Sequence, residues 1–167
     1  VLSQQSPVEP AQLAWADFTG SDLPDLVAVH PDGRVSLYEN TGDGSFQDVT
    51  STSGLETMEG AVSAEWSDLD GDKDADLLVV TMQGLRLFEN EARMTLSETT
   101  GASALSEIKT MPSELRLHDF DRDGLLDLEI QLEDAHVLWH NKGSWSFQRV
   151  GLELPARPKP AGAPLPV

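Results

Sequence analysis

Apolar and polar residues alternate with a period of two in short segments along the chain, which is the pattern of half-buried β-strands. Leu13, Trp15 and Asp17 alternate with alanines, and the same alternation returns around Trp66 and Leu117. Each of these segments is followed by an Asp-rich loop and then by a short apolar run that turn residues bound. No segment shows a convincing helical period. The pattern predicts an all-β chain.

These segments are copies of one repeated unit. Asp17, Asp68 and Asp119 lie 51 residues apart, each near the end of a predicted first strand. Four short strands within about 51 residues is the size of one propeller blade. The asparagines that end the third predicted strand keep nearly the same interval: Asn40, Asn90 and Asn141.

The repeat divides the chain into three predicted four-stranded blades, covering residues 12–60, 61–111 and 112–154. An N-terminal extension covers residues 1–11. A proline-rich, extended tail covers residues 155–167 and holds five of the ten prolines. Because closed propellers have about four to eight blades, three blades predict a partial or open β-propeller.

An open arc leaves sheet faces and edges uncovered, which favours aggregation unless something covers them. Three arrangements satisfy this requirement. The chain is a segment of a longer propeller, it pairs with itself as a homo-oligomer, or it packs against another protein. We expect other protein to complete it, either a partner or further blades.

The loop after the first strand of each unit carries Asp at alternate positions. A hard cation such as Ca²⁺ takes six to eight oxygen ligands at about 2.3–2.6 Å. Without a cation, two carboxylates about 4 Å apart repel each other by roughly 1–4 kcal/mol. We therefore predict two Ca²⁺ sites, with these ligands: Asp68, Asp70, Asp72, Asp74 and Asp76 in the second loop, and Asp119, Asp121, Asp123, the Leu125 carbonyl and Asp127 in the third.

The first loop lacks the central acids of the other two. Thr19 and Ser21 stand where the other loops have Asp, so that Asp17 and Asp25 are the carboxylates at equivalent positions. Together with the Leu23 carbonyl, these residues predict a third Ca²⁺ site that is weak or empty.

The acidic loops have two other interpretations. An EF-hand needs a bidentate acid at position 12 of the loop and flanking helices. Position 12 here is Val79 or Ile130, inside an apolar strand, which excludes an EF-hand. An acidic surface turn, in which Asp only hydrogen-bonds the backbone, is the remaining alternative to a metal site.

The amino-acid composition argues against several classes of binding partner and of metal site. The chain has 29 acidic and 11 basic residues and a net charge of −18, which argues against binding nucleic acid or an anionic membrane. With no Cys, thiolate metal sites and disulfides are excluded. No apolar run approaches the roughly 20 residues that span a bilayer, so no direct membrane insertion is expected.

The histidines and tryptophans give no sign of a catalytic centre. The four histidines are dispersed, and no catalytic motif accompanies them, so we expect no enzyme. Trp15, Trp66 and Trp139 occupy predicted core positions, and Trp145 is the one candidate for a surface contact.

Three stretches together resemble a known family. They are the loop 119–128, the segment Tyr38-Glu-Asn40 and the segment Gly44-Ser-Phe-Gln-Asp-Val-Thr50. The pattern is similar to FG-GAP and VCBS repeats, which occur in integrin-α-like and ASPIC/UnbV-associated proteins. The resemblance implies calcium-binding β-propeller blades that work outside the cytoplasm in adhesion, ligand binding or assembly.

The leading functional hypothesis is a non-enzymatic, calcium-binding module for protein interaction, adhesion or scaffolding. It would be extracellular, periplasmic or on the cell surface, where Ca²⁺ is abundant. The alternative is an accessory subunit docked onto a larger, possibly membrane, complex. A propeller-based enzyme acting on glycans is the third hypothesis.

Overall fold

The computed structural model describes residues 12–91, 95–133 and 135–154. The predicted N-terminal extension and the proline-rich tail lie outside these residues. In these residues, twelve strands form three separate antiparallel sheets of four strands each. The prediction of an all-β fold with three four-stranded, propeller-type sheets is confirmed.

Each sheet is a simple meander, because strands that are consecutive in sequence are neighbours in the sheet. Blade 1 contains β1 (Gln12–Ala16), β2 (Asp25–Val29), β3 (Val35–Asn40) and β4 (Phe46–Asp48). Blade 2 contains β5 (Ala61–Ser67), β6 (Asp76–Thr81), β7 (Gly84–Asn90) and β8 (Leu96–Glu98). Blade 3 contains β9 (Glu114–His118), β10 (Asp127–Gln131), β11 (His136–Asn141) and β12 (Phe147–Leu154).

Within the described residues, helical structure is confined to the connections between blades. A single turn, α1 (Thr50–Ser53), follows β4, and two 3₁₀ turns, Thr100–Ala102 and Ala104–Glu107, follow β8. Gly54 ends α1 in a left-handed conformation with φ of 89°, which suits glycine. Among the described residues, no helix has the length and apolar character needed to cross a bilayer.

The hydrophobic core consists of two clusters, each between adjacent blades. We call the face of a blade that meets the next blade its trailing face, and the opposite one its leading face. In the first cluster, Val27 and Leu37 from the trailing face of blade 1 join Leu77 and Phe88 from the leading face of blade 2. The second cluster repeats this arrangement with Leu78, Val80, Leu85 and Leu87 of blade 2 and Leu128, Ile130, Trp139 and Phe147 of blade 3.

Two tryptophan predictions are wrong. Trp15 is 53% exposed, although its repeat position predicts packing, because no described blade precedes blade 1. Trp145 is partly buried against the second cluster, although it was the candidate for a surface contact. Trp66 and Trp139 do pack into the core, and Trp66 stacks on the Phe18 ring of blade 1 with centroids 5.3 Å apart.

Candidate metal centre

The three acidic loops connect the first and second strands of the blades and share one backbone course. Counting from the first Asp, the residues at positions 4 and 6 of every loop have positive φ, between 63° and 96°. Each loop places one glycine at these two positions, which reduces the strain. The residues are Gly20 and Asp22, Gly71 and Lys73, and Arg122 and Gly124.

The Asp at position 1 closes each loop through backbone hydrogen bonds. Asp68 accepts from the Gly71 N–H at 2.7 Å and from the Lys73 N–H at 3.1 Å. Asp119 accepts likewise from the Gly124 N–H at 3.0 Å. These bonds hold the carboxylate on the inner side of the turn.

The Asp at position 9 is fully buried in all three loops. In blade 3, Asp127 accepts from the Phe120 N–H at 3.0 Å and, with its other oxygen, from the Asn141 N–H at 2.8 Å. Asp76 makes the equivalent pair of bonds to Leu69 and Asn90. Position 9 therefore ties the start of the loop to the end of the third strand. The sequence predicted only a metal ligand here.

The fold brings three carboxylates together in two of the loops. Oxygen atoms of positions 1, 3 and 9 lie within 4.8 Å of one another in each set. The sets are Asp68, Asp70 and Asp76 in blade 2, and Asp119, Asp121 and Asp127 in blade 3. Oxygen donors alone are what a hard cation such as Ca²⁺ prefers, and so these residues fit that ion.

The remaining predicted ligands lie beside these sets. Within the described residues, Asp72 and Asp74 belong to no such group, and Asp72 accepts from the Asp74 N–H at 2.8 Å. Asp123 accepts from the Leu125 N–H at 2.9 Å and groups instead with Asp121 and a histidine.

Burial and neighbouring negative charges raise the pKa values of two Asp residues in the second loop. Burial, with added repulsion from Asp70 and Asp72, raises the pKa of Asp76 to about 7, although two backbone N–H groups oppose the shift. The pKa of Asp70 is also raised, first by burial and then by Asp72 and Asp68. A bound cation would relieve this repulsion.

His140 is a residue of the third loop's surroundings that sequence reasoning missed. Its Nε2 atom lies 2.7 Å from Asp121 Oδ2 and 3.4 Å from Asp123 Oδ2. The Leu125 N–H and this imidazole lower the pKa of Asp123. The sequence feature that could have indicated this contact is that the residue before the repeated asparagine is a His in the third copy, whereas it is Glu39 or Glu89 in the other copies.

In the first loop, the Thr19 hydroxyl lies among the residues that correspond to the proposed metal ligands of the other two loops. Thr19 Oγ1 donates to Asp25 Oδ2 at 3.0 Å and lies 3.0 Å from Ser21 Oγ and 3.5 Å from Asp17 Oδ1. Hydroxyl groups of Thr19 and Ser21 therefore lie among the carboxylates of this loop, and Thr19 bonds the one at position 9.

The repeated asparagines link each blade to the one before it. Asn90 Nδ2 donates to the Phe18 carbonyl of blade 1 at 2.9 Å, and Asn141 Nδ2 donates to the Leu69 carbonyl of blade 2 at 2.9 Å. Each amide also bonds a carbonyl of its own loop. The regular spacing marked these asparagines, but not their role between blades.

Comparisons with known proteins agree with this architecture. The chain is similar in fold to a chain of the Tc holotoxin pore of Photorhabdus luminescens, with a TM-score of 0.54 and 23% identity. The match covers 93% of this chain and 7% of that chain, so this chain spans a small part of the larger one. A search of curated proteins finds no significant match.

The sequence of this chain also matches the model of a known protein family. The model for the FG-GAP-like repeat matches residues 17–79 and again residues 68–130. Each match begins at position 1 of an acidic loop and runs into the next blade. The predicted family resemblance is thereby confirmed, and the chain belongs to the FG-GAP-like repeat family.

Proposed function

We propose that this chain is a non-enzymatic, calcium-binding β-propeller module whose blades form a scaffold for protein interaction. The observation that carries the proposal is the pair of carboxylate sets at identical repeat positions, three oxygens within 4.8 Å in each. Two Ca²⁺ ions would be held there, by Asp68, Asp70 and Asp76 and by Asp119, Asp121 and Asp127.

The first loop supports a metal role for the other two. All three loops follow the same course, so the turn itself does not require Asp at positions 3 and 5. Where these acids are absent, the Thr19 hydroxyl donates to Asp25, and Asp17 accepts from backbone N–H groups. In the second loop, which keeps the acids, burial and then like charges raise the pKa values of Asp70 and Asp76, and a cation would relieve this repulsion.

A cation at these loops would support the contacts between blades. Asp76 and Asp127 bond the backbone of Asn90 and Asn141, whose side chains reach the preceding blade. Neutralising the carboxylates would stabilise the loop, the end of the third strand and the blade interface together. Calcium would thereby stiffen the scaffold.

A thermal melt tests the calcium proposal. Protein passed over a chelating resin should melt at a lower temperature than the same protein in about 2 mM Ca²⁺, because an ion at about ten times its Kd adds roughly 1.4 kcal/mol per site. Asp70→Asn and Asp121→Asn should each remove part of the gain, and Thr19→Ala in the first loop should leave it intact. Coincident melts with and without Ca²⁺ would refute calcium binding.

The calcium effect should also depend on pH. The folded pKa of Asp76 is raised to about 7, from 3.8, so its contribution to stability is fully present below about pH 3.8. That contribution is lost as pH rises through 7, because the carboxylate then charges inside the fold. Since Ca²⁺ binds the charged form, the gain in Tm should be larger at about pH 8.5 than at about pH 5.5. In Asp70→Asn this difference should shrink, and a gain that falls with pH would contradict the assignment.

A role in protein interaction, outside the cytoplasm or in the cell envelope, fits both the family and the acidic sites. Weak Ca²⁺ sites of extracellular modules have Kd values of about 10⁻⁴–10⁻³ M and fill where Ca²⁺ is millimolar. Adhesion and scaffolding are the uses we propose.

An accessory role in a larger complex is the second candidate. The observation that favours it is the fold neighbour in a holotoxin pore, where the matched region is a small part of a long chain. Co-purification of the full chain with and without residues 155–167 tests this role, since the proline-rich tail is the proposed docking arm. Undiminished co-purification would remove the tail from this hypothesis.

Against enzymatic activity, each of three histidines in the described residues bonds either a carboxylate or a hydroxyl, and none bonds both, as a Ser-His-Asp triad requires. His136 bonds Glu129, His140 bonds Asp121, and His30 bonds the Ser36 hydroxyl at 2.9 Å. The proposed function therefore includes no catalytic residue. A hydrolase activity that survives complete metal removal would overturn this part of the proposal.

A further inference from the structure

The two ends of the blade array differ in chemistry. On the trailing faces of blades 1 and 2, four equivalent positions of the second and third strands are aliphatic and nearly fully buried. The strand registers confirm that these positions correspond in all three blades. They are Val27, Val29, Val35 and Leu37 in blade 1, Leu78, Val80, Leu85 and Leu87 in blade 2, and Glu129, Gln131, His136 and Leu138 in blade 3.

The trailing face of blade 3 carries polar side chains that bond one another and nearby carbonyls, whereas Gln131 Oε1 is buried and has no hydrogen-bond partner among the described residues. His136 Nε2 lies 2.5 Å from Glu129 Oε1, and these two side chains are only 9% and 19% exposed. Gln131 Nε2 donates to the Leu132 and Ala135 carbonyls at 2.9 and 3.3 Å. A polar outer face of this kind is how terminal repeats end an array. It is a poor match for the apolar leading face of another blade.

The leading face of blade 1 has the opposite character. Phe46 is 43% exposed, whereas its equivalents Leu96 and Phe147 are 4% and 5% exposed under a preceding blade. Trp15 contacts Phe46 edge to face at 5.9 Å and is 53% exposed. With Leu13, which is 45% exposed, these side chains form one apolar patch on the first blade.

Asn40 differs from its two equivalents in the hydrogen bonds of its side-chain amide. Asn90 and Asn141 each use Nδ2 twice, for a carbonyl of their own loop and for a carbonyl of the preceding blade. Asn40 makes the bond to its own loop, to the Pro24 carbonyl at 3.0 Å. Among the described residues, Asn40 makes no bond to a preceding blade. One of the two N–H donors of its amide is therefore available on the leading face of blade 1.

We propose that the leading face of blade 1 docks onto the aliphatic trailing face of a further FG-GAP-type blade, whereas blade 3 ends the array. The occupant would stack a Phe18-equivalent side chain on Trp15 and present that residue's carbonyl to Asn40, as blade 1 does for blade 2. A second copy of this chain does not qualify, because its own trailing face is polar. This inference names the partner of the proposed interaction module and rests on that function, but not on calcium binding.

Restoring the aliphatic pattern on blade 3 tests the proposal within the full chain. The variant Glu129→Val, Gln131→Val, His136→Val copies the trailing face of blade 1. We expect the native chain to be monomeric by light scattering and this variant to associate head to tail. Adding Trp15→Ser should weaken the association at least about tenfold, as removal of an interface tryptophan does. Adding Met82→Ser, which alters an exposed residue outside the patch, should not.

Each contrary result is decisive. A folded aliphatic variant that stays monomeric overturns the docking proposal, as does association that Trp15→Ser leaves unchanged. A native dimer that Trp15→Ser dissociates would make a second copy the occupant. A native monomer whose Trp15 resists chemical oxidation would show that the chain's own extensions cover the face.

A second measurement applies if the triple variant does not fold. Residues 61–111, which carry an aliphatic trailing face, are placed ahead of residue 12 in the full chain. Trp15→Ser should then lower Tm by about 5 °C or more, against about 2 °C or less in the native chain, and equal shifts would refute the docking. Calcium melts of Trp15→Ser keep the two proposals apart, because docking can fail while the gain in Tm from Ca²⁺ persists.

Discussion

Replacing Asp127 with Ala is expected to destabilise the metal-free protein by about 4 kcal/mol, and by more in calcium because a proposed ligand is also lost. The substitution leaves the Phe120 and Asn141 N–H groups without the carboxylate that accepts from both, and Asp127 is fully buried. A buried donor without a partner costs about 1–3 kcal/mol, and this substitution leaves two backbone donors without one. Urea unfolding of metal-free protein measures this loss of unfolding free energy. In a thermal melt, the same loss should lower Tm by about 8–16 °C.

The matched control for Asp127→Ala is Asp121→Ala in the same loop. Asp121 accepts from the Asp123 N–H at 3.2 Å in an exposed turn and contacts His140 Nε2 at 2.7 Å, so its removal should cost only about 1 kcal/mol in metal-free protein. It should, however, abolish the calcium gain of blade 3. If the two variants lose the same stability without calcium, position 9 has no special role in the backbone. If only Asp127→Ala reduces calcium binding, position 3 is not a ligand.

The repeat made the fold predictable from the sequence. Three copies of one pattern specify the same four strands three times, so an ambiguous segment in one blade is resolved by its equivalents. The fourth strands show the limit of this method. The repeat does not specify where they end: they occur at Phe46–Asp48, Leu96–Glu98 and Phe147–Leu154, with lengths of three, three and eight residues. Weakly patterned outer strands leave their ends to tertiary contacts.

The Asp pattern predicted that the acidic loops could bind a cation. It did not predict which Asp residues also hold the backbone through hydrogen bonds. Alternate Asp residues indicate a cation site regardless of which oxygens also hold the backbone. That Asp76 lies buried between two N–H groups depends on where the third strand ends relative to the loop, which only the fold specifies. The same limit applies to His140, because its approach to Asp121 is a contact between strand and loop.

The exposure of Trp15 shows a different limit. Its sequence position is equivalent to that of Trp66, which stacks on Phe18. Repeat reasoning assigns equivalent residues equivalent surroundings, and that assumption fails at the end of an array. The pattern along the chain therefore predicts what a face can contact, whereas the neighbouring blade determines whether it does.

Asn141→Ala is expected to cost about 3 kcal/mol, because this side chain connects two blades as well as two parts of its own blade. Its Nδ2 donates to the Leu69 carbonyl across the interface and to the Leu126 carbonyl within blade 3, while its Oδ1 accepts from the Gly143 N–H. All of these bonds form around a fully buried side chain. The loss should appear in urea unfolding, both with and without calcium.

Asn40→Ala is the control that isolates the link between blades. Asn40 makes the same local bonds, to the Pro24 carbonyl and from the Gly42 N–H, but both are exposed and no preceding blade accepts from it among the described residues. We expect it to cost about 1 kcal/mol, so that the difference of about 2 kcal/mol measures the hydrogen bond across the interface and its burial. Equal costs for the two variants would mean that the asparagines stabilise only their own turns, and that apolar packing alone joins the blades.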